Sequence, residues 1–280
     1  MHLQDREAIL KNLRAKVARG EPILITAAGL GLIAKIANAA KVDLIVTTAG
    51  DYYRMDGHPT AMAYFAYGNA NTQTLDRGPR ILKMAKDVPV VVGIGVGDPY
   101  REIDELADEY WRMGFSGYIN APAAAMYGPF MELHLKGTVL SLEADAKMIS
   151  MLHEKNRLTI AIAVTVEHAR VLAAAGADIV VAFTGFTVGG FVGAPEKEAR
   201  TPDQACSFVQ EICDAVKEVN PETLVVCSGG PLRTPQDVQY CFDHTDAVGF
   251  FGSSATDRLP MEETVRSCVE RFEKLRLEAL

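Results

Sequence analysis

Asp51 and Asp98 each close an apolar run, "DLIVTTAGD" and "VPVVVGIGVGD". If those runs are neighbouring strands, two carboxylates meet at one mouth. There they can divide acid and base roles, or hold a divalent cation together with water and substrate oxygens. Arg54 and His58 follow Asp51 in the polar and aromatic stretch "YYRMDGHP". A guanidinium in that place can clamp a carboxylate through two parallel hydrogen bonds, and an imidazole can move a proton near neutral pH. Asn120, in "GYINAP", offers an amide to a substrate oxygen or caps its turn. Asp98-Pro99 has a structural alternative as well, because an aspartate before proline is a common start to a helix.

A second constellation is built for anions. "CSGGPLRTPQDV" and "FFGSSATDRLP" each end an apolar run in glycine and serine. Glycine lets the backbone approach an anion with no Cβ in the way, and serine hydroxyls add donors. A helix that follows contributes partial positive charge. Ser228, Gly229 and Gly230 in the first turn, with Gly252, Ser253 and Ser254 in the second, are therefore the candidate phosphate-binding residues. Arg258 can join them or form a surface ion pair. Thr184 and Thr187 are weaker ligand candidates.

These residues need elements to hold them. Apolar runs bounded by turn residues recur eight times, at 23–29, 43–51, 88–98, 116–122, 158–165, 177–185, 223–230 and 247–254, each followed by a helical stretch. The runs are apolar throughout rather than alternating, which means burial on both faces, as in a parallel sheet covered by helices. Eight such units in one chain predict a (β/α)8 TIM barrel, with an open doubly wound sheet as the alternative. An amphipathic helix over 4–19 precedes the first strand and is placed to plug the bottom. One domain over 1–280 is expected. The connections after strands 2, 4 and 6 are the long ones, about 15 to 22 residues each, and barrel active sites lie at the face where they emerge.

Ser141, Thr201-Pro202 and Thr234-Pro235 read as helix starts, and Gly114 and Gly176 as helix ends. His134, His153, His168 and His244 lie away from strand ends and read as structural. Glu143 and Glu167 begin helices, where an acid offsets the dipole.

Composition removes several function classes. The 280 residues carry a formal charge of −8 and no basic run, so neither nucleic acid nor an anionic membrane is an expected partner. The N-terminal stretch lacks the unbroken apolar core of a signal peptide, and a cytoplasmic location is expected. The five cysteines form no C-x-x-C pair and read as reduced thiols. Met126, Tyr127 and Phe130 leave room for self-association, and a homo-oligomer is expected.

Together "TTAGDYYRMDG", "GIGVGDP", "GFSGYINAP", "SGGPLRTPQDV" and "GFFGSSATDRLP" resemble the phosphoenolpyruvate hydrolase-like family, over nearly the whole chain. The resemblance implies a barrel related to the phosphoenolpyruvate mutase/isocitrate lyase group, with an enolpyruvyl or phosphonopyruvyl substrate. The chain departs from that group where it matters for metal. The Asp-x-Asp motif is reduced to the single Asp98, the next strand ends in Asn120, and the Lys-Lys-Cys-Gly-His loop is absent. The leading expectation is hydrolysis of phosphoenolpyruvate or phosphonopyruvate to pyruvate and phosphate, with Asp51 and Asp98 orienting water or Mg2+. A non-catalytic barrel that senses phosphate esters or binds a partner is one alternative. A lyase or isomerase acting on a phosphorylated sugar is another, and it lacks a strand-end lysine for Schiff-base chemistry.

Overall fold

The computed structural model describes residues 4–277, so the ends of the expected 1–280 domain, residues 1–3 and 278–280, lie outside the described residues. Eight parallel strands close into a barrel in sequence order, β1 pairing with β8. They are β1 Ile23–Ala27, β2 Leu44–Thr47, β3 Val90–Ile94, β4 Gly117–Asn120, β5 Leu158–Ala163, β6 Ile179–Phe183, β7 Leu224–Ser228 and β8 Gly249–Phe251. This is the (β/α)8 architecture expected from the eight apolar runs.

Both faces of the strands are buried, for two different partners. Ile23, Ile25, Leu44, Val46, Ile160 and Phe251 point into the barrel, whereas Ile45, Val90, Val180 and Phe250 pack under the helices. The N-terminal helix Arg6–Val17 inserts Ile9, Leu10 and Leu13 into the inner cluster. Lys16 pairs with Asp43 just before β2, and Arg6 with Asp178 just before β6, which fixes that helix across the bottom. The opposite end holds the cavity described below.

Several strands stop earlier than their apolar runs. The run 43–51 breaks at Thr48, where the Thr48 amide donates to Asp51 Oδ2 at 2.7 Å and the helix Ala49–Met55 begins. An acid three residues after a threonine favours a helix start over continued strand. Asp51 thus stands on the first turn of a helix and not at a strand end. Likewise β3 ends at Ile94, and Asp98 lies four residues beyond it. Asp98-Pro99 does not begin the next helix, which runs Ile103–Met113 from Glu102. The Asp98 carboxylate is drawn instead to the Tyr100 amide and to Asn69, Asn71 and Arg101.

The other expected helix starts hold. Ser141, Thr201 and Thr234 accept from the amides of Ala144, Gln204 and Asp237, and Gly114 and Gly176 end their helices at positive φ. The long connections carry short helices of their own, Thr60–Tyr64 after β2 and Gly128–Leu135 after β4. Among the described residues no helix is long and apolar enough to cross a membrane.

Candidate active site

The C-terminal ends of the strands enclose a cavity of about 410 Å³. Ile119, Ile162, Val181 and Phe251 form its floor, and the connections after β2, β6 and β8 form its walls. The Tyr64 and Phe186 rings meet edge to face at 6.0 Å, joining the first two of these walls.

Arg54 stands between two acids. Its Nη2 donates to Asp51 Oδ1 at 2.6 Å and to Asp257 Oδ2 at 2.7 Å, and its Nη1 to Thr60 Oγ1 at 3.2 Å. Asp51 lies one helical turn before Arg54, so the helix itself sets that pair. Asp257 comes from the connection after β8, and the three-residue clasp ties two walls of the cavity together. All three side chains are 3% exposed or less. Burial pushes the Asp51 carboxyl up to about 6 although Arg54 opposes the rise, and it raises Asp257 as well. Burial works against the Arg54 charge, and Asp257 and Asp51 more than restore it. Arg54 Nε has no acceptor.

Arg258 is the second buried guanidinium. Its Nη1 donates to Gly189 O at 3.0 Å and to Glu262 Oε1 at 3.0 Å, while Nη2 is buried with no partner. The glycine-rich "VGGFVG" after β6 makes room for it: a Cβ on Gly193 would lie 2.8 Å from Nη2, and one on Gly190 would run into Glu262 and Nη1. Ser253, Ser254 and Ser228 line the same cavity.

The structure separates the residues that the sequence singles out. Asp51, Arg54, Ser228, Ser253 and Ser254 line the cavity; Asp98, His58, Asn120, Gly229, Gly230 and Gly252 do not. Asp98 lies beside a charged groove on the outer wall, its carboxylate covered by Arg101, so the expected pairing of Asp51 and Asp98 at one mouth is not found. The Tyr100 amide, Asn71 and Arg101 outweigh its partial burial and keep it ionised below the usual range. His58 sits edge-on to Tyr67 at 5.8 Å.

Gly229 and Gly230, both at positive φ, serve close packing. A Cβ at Gly229 would collide with the Gly185 carbonyl, and the Gly230 amide donates to that same carbonyl at 2.7 Å. The Gly252 amide is likewise committed, to Ile25 O at 2.8 Å. The Asn120 amide is spent inside the protein: Oδ1 accepts from Ile162 N at 2.8 Å and Nδ2 donates to Asp145 Oδ2 at 3.0 Å.

Two acids escape the sequence reading, Asp257 and Asp145. Asp145 also accepts from Ala124 N at 2.9 Å, and its Oδ1 is buried without a partner. Burial pushes its carboxyl up to about 7, against the pull of the Ala124 amide and Asn120. Its spacing was the available signal, because Met148, Ile149 and Leu152, three, four and seven residues later, are all buried.

The donor set does not suit Mg2+. Asp51 gives one oxygen to Arg54 and the other to the Thr48 amide, and Asp257 gives one to Arg54 and the other to the Arg258 amide. Among the described residues no group of three or more His, Cys, Asp or Glu is placed to hold a metal ion.

Two tomato (Solanum lycopersicum) proteins, the ToMV susceptible protein tm-1(GCR26) and the ToMV resistance protein Tm-1(GCR237), are each 32% identical over 277 residues, 99% of this chain and 36% of theirs. The chain therefore spans about a third of the length of these relatives. Among solved structures, phosphonopyruvate hydrolase in complex with oxalate and Mg++ superposes with a TM-score of 0.63 at 16% identity, covering 95% of this chain and 87% of that one. The phosphoenolpyruvate phosphomutase of Streptomyces platensis subsp. rosaceus gives 0.60 at 16% identity, over 94% and 86%. At that identity the likeness is one of fold. A family model described as phosphoenolpyruvate hydrolase-like matches residues 8–275, nearly the whole barrel with its mouth, and the chain belongs to that family.

Proposed function

We propose that the chain is an enzyme acting on a small acid in the barrel mouth, and that its reaction is hydrolysis of phosphoenolpyruvate or phosphonopyruvate to pyruvate and phosphate. One observation carries the reading. Arg258 is 3% exposed, lines the cavity and keeps Nη2 without an acceptor. An unmade buried hydrogen bond costs roughly 1–3 kcal/mol, and more on a charged group, so an anion that reaches Nη2 recovers that cost. Ser253 and Ser254 offer hydroxyls on the same wall. The fold shared with a phosphonopyruvate hydrolase that binds oxalate is in keeping with a small dianionic acid.

In this reading Arg258 and the two serines hold the phosphoryl group. Asp51, whose carboxyl titrates at about 6, takes the proton of the attacking water near neutral pH. Water oxygen bonds to phosphorus, the bond to the three-carbon group breaks, and the released enolate takes up a proton to give pyruvate. Tyr64 and Phe186 narrow the entrance and exclude bulk water. No lysine lines the cavity, which leaves Schiff-base chemistry on a sugar without its nucleophile.

A sensing barrel that binds the same acids without turnover is the second reading. It is favoured by the commitment of both Asp51 oxygens to Arg54 and the Thr48 amide. Phosphate release and thermal shift, followed together over a panel of phosphate and phosphonate acids, distinguish the two. The hydrolase shows many turnovers on one member. Asp51→Asn then abolishes turnover with binding largely kept, and Arg258→Met weakens binding at least tenfold. Stabilisation without product supports the sensor; neither signal with any member sinks both.

A further inference from the structure

The neighbouring hydrolase carries Mg++, yet the carboxylates in this mouth meet a different cation. A single nitrogen, Arg54 Nη2, touches Asp51 at 2.6 Å and Asp257 at 2.7 Å. Mg2+ needs oxygen ligands at about 2.0–2.1 Å in near-octahedral array and keeps several of its waters. At 3% exposure or less, these side chains leave no space for such waters while the guanidinium is in place. The remaining oxygens of both acids face backbone N–H groups, donors that repel a metal as they attract a carboxylate. Arg54 cannot leave readily, because removing one member of a buried ionic group strands the charges of the others.

We infer that Arg54 is the resident cation of the barrel mouth, its guanidinium filling the place between Asp51 and Asp257 that a divalent ion would need. The inference rests on the mouth being the working site. It makes the positive charge of the site a covalent part of the chain, independent of metal supply. An arginine also keeps that charge at every pH the protein survives, with Nε still free to donate toward a ligand oxygen. Asp257 then acts as a positioning residue that holds the guanidinium in place, and Asp51, the base of the hydrolytic reading, holds it from the other side.

Mn2+ is the probe, titrated into the purified protein and followed by the loss of its free-ion EPR signal. The wild type is expected to show no saturable uptake through the millimolar range. Arg54→Met, close in volume, frees both carboxylates and is expected to bind Mn2+ at least about tenfold more tightly than wild type. Arg54→Lys keeps a positive charge in place and is expected to gain none. Stoichiometric Mn2+ uptake by the wild type that is lost in Asp51→Asn or Asp257→Asn overturns the inference, as does a folded Arg54→Met that gains no affinity. If Arg54→Met does not fold, the wild-type titration still decides. Phosphate release judges the hydrolytic reading separately, since uptake of Mn2+ does not depend on which acid is turned over.

Discussion

Asp145 shows what a buried acid without a cation does to a fold. It has two N–H donors on one oxygen and none on the other, and its carboxyl rises from an ordinary 3.8 to about 7. A carboxyl that is harder to ionise folded than unfolded stabilises the fold in its protonated form. Its contribution is complete below about pH 4 and is lost as pH rises through about 7. In Asp145→Asn the amide oxygen can still accept from Asn120 and Ala124, and no charge forms. We expect the variant to match wild type near pH 4 and to exceed it at pH 8, by up to about 4 kcal/mol, since each pKa unit is worth about 1.4 kcal/mol. Urea unfolding of both proteins across that range checks the sign. A difference that stays constant with pH removes the account.

At the scale of elements, the connection after β6 and the helix after β8 hold each other. Arg258 Nη1 donates to the Gly189 carbonyl, and Glu262 Oε2 accepts from the Phe191 amide at 3.0 Å. Gly190 allows that contact twice over, by its φ of +74° and by the missing Cβ. Gly190→Ala is expected to cost about 1–3 kcal/mol and to loosen the wall, weakening anion binding along with stability. Gly57→Ala is the control: its φ is +86° with open space around it, so only the backbone cost of about 1 kcal/mol applies and binding is unchanged. Equal effects of the two substitutions on binding sink the coupling of loop and helix. The barrel itself could be read from eight runs apolar on both faces, and the long connections marked the end that bears the cavity. The clasp could not be read, because Asp257 and Arg54 are 203 positions apart and only closure of β8 onto β1 brings them together. The strand-end reading of Asp51 and Asp98 failed for a local reason. Apolar character continues past Ile94 and Thr47, whereas the strands end where the Thr48 amide turns to Asp51 and where the Asn71 side chain takes both the N–H and the carbonyl of Gly95.

For the whole molecule, the last helix leaves an apolar face uncovered. In Arg258–Phe272 only Arg258 is fully buried, and Val265, Val269 and Phe272, spaced four and three apart, are each more than half exposed. A helix of that length gains most of its stability from packing one apolar stripe, and this stripe has none of its own barrel against it. The helix Gly31–Ala39, which follows β1 and so stands next to the β8 unit around the barrel, exposes Leu32 and Ile36 in the same way. Two apolar patches in one chain, neither covering the other, fit a two-fold pairing of copies, in which the stripe of each lies on its partner and both are covered. We propose a homodimer on this face. Sedimentation equilibrium is expected to give twice the chain mass of 30.4 kDa, and Val269→Glu with Phe272→Glu to give the monomer with its barrel intact by circular dichroism. Ligand stabilisation links the two ends of that helix, since Arg258 on its first turn lines the cavity. The monomeric double variant is therefore expected to bind inorganic phosphate more weakly than the dimer. A wild type that stays monomeric at high concentration removes the proposal, and so does a double variant that remains a dimer.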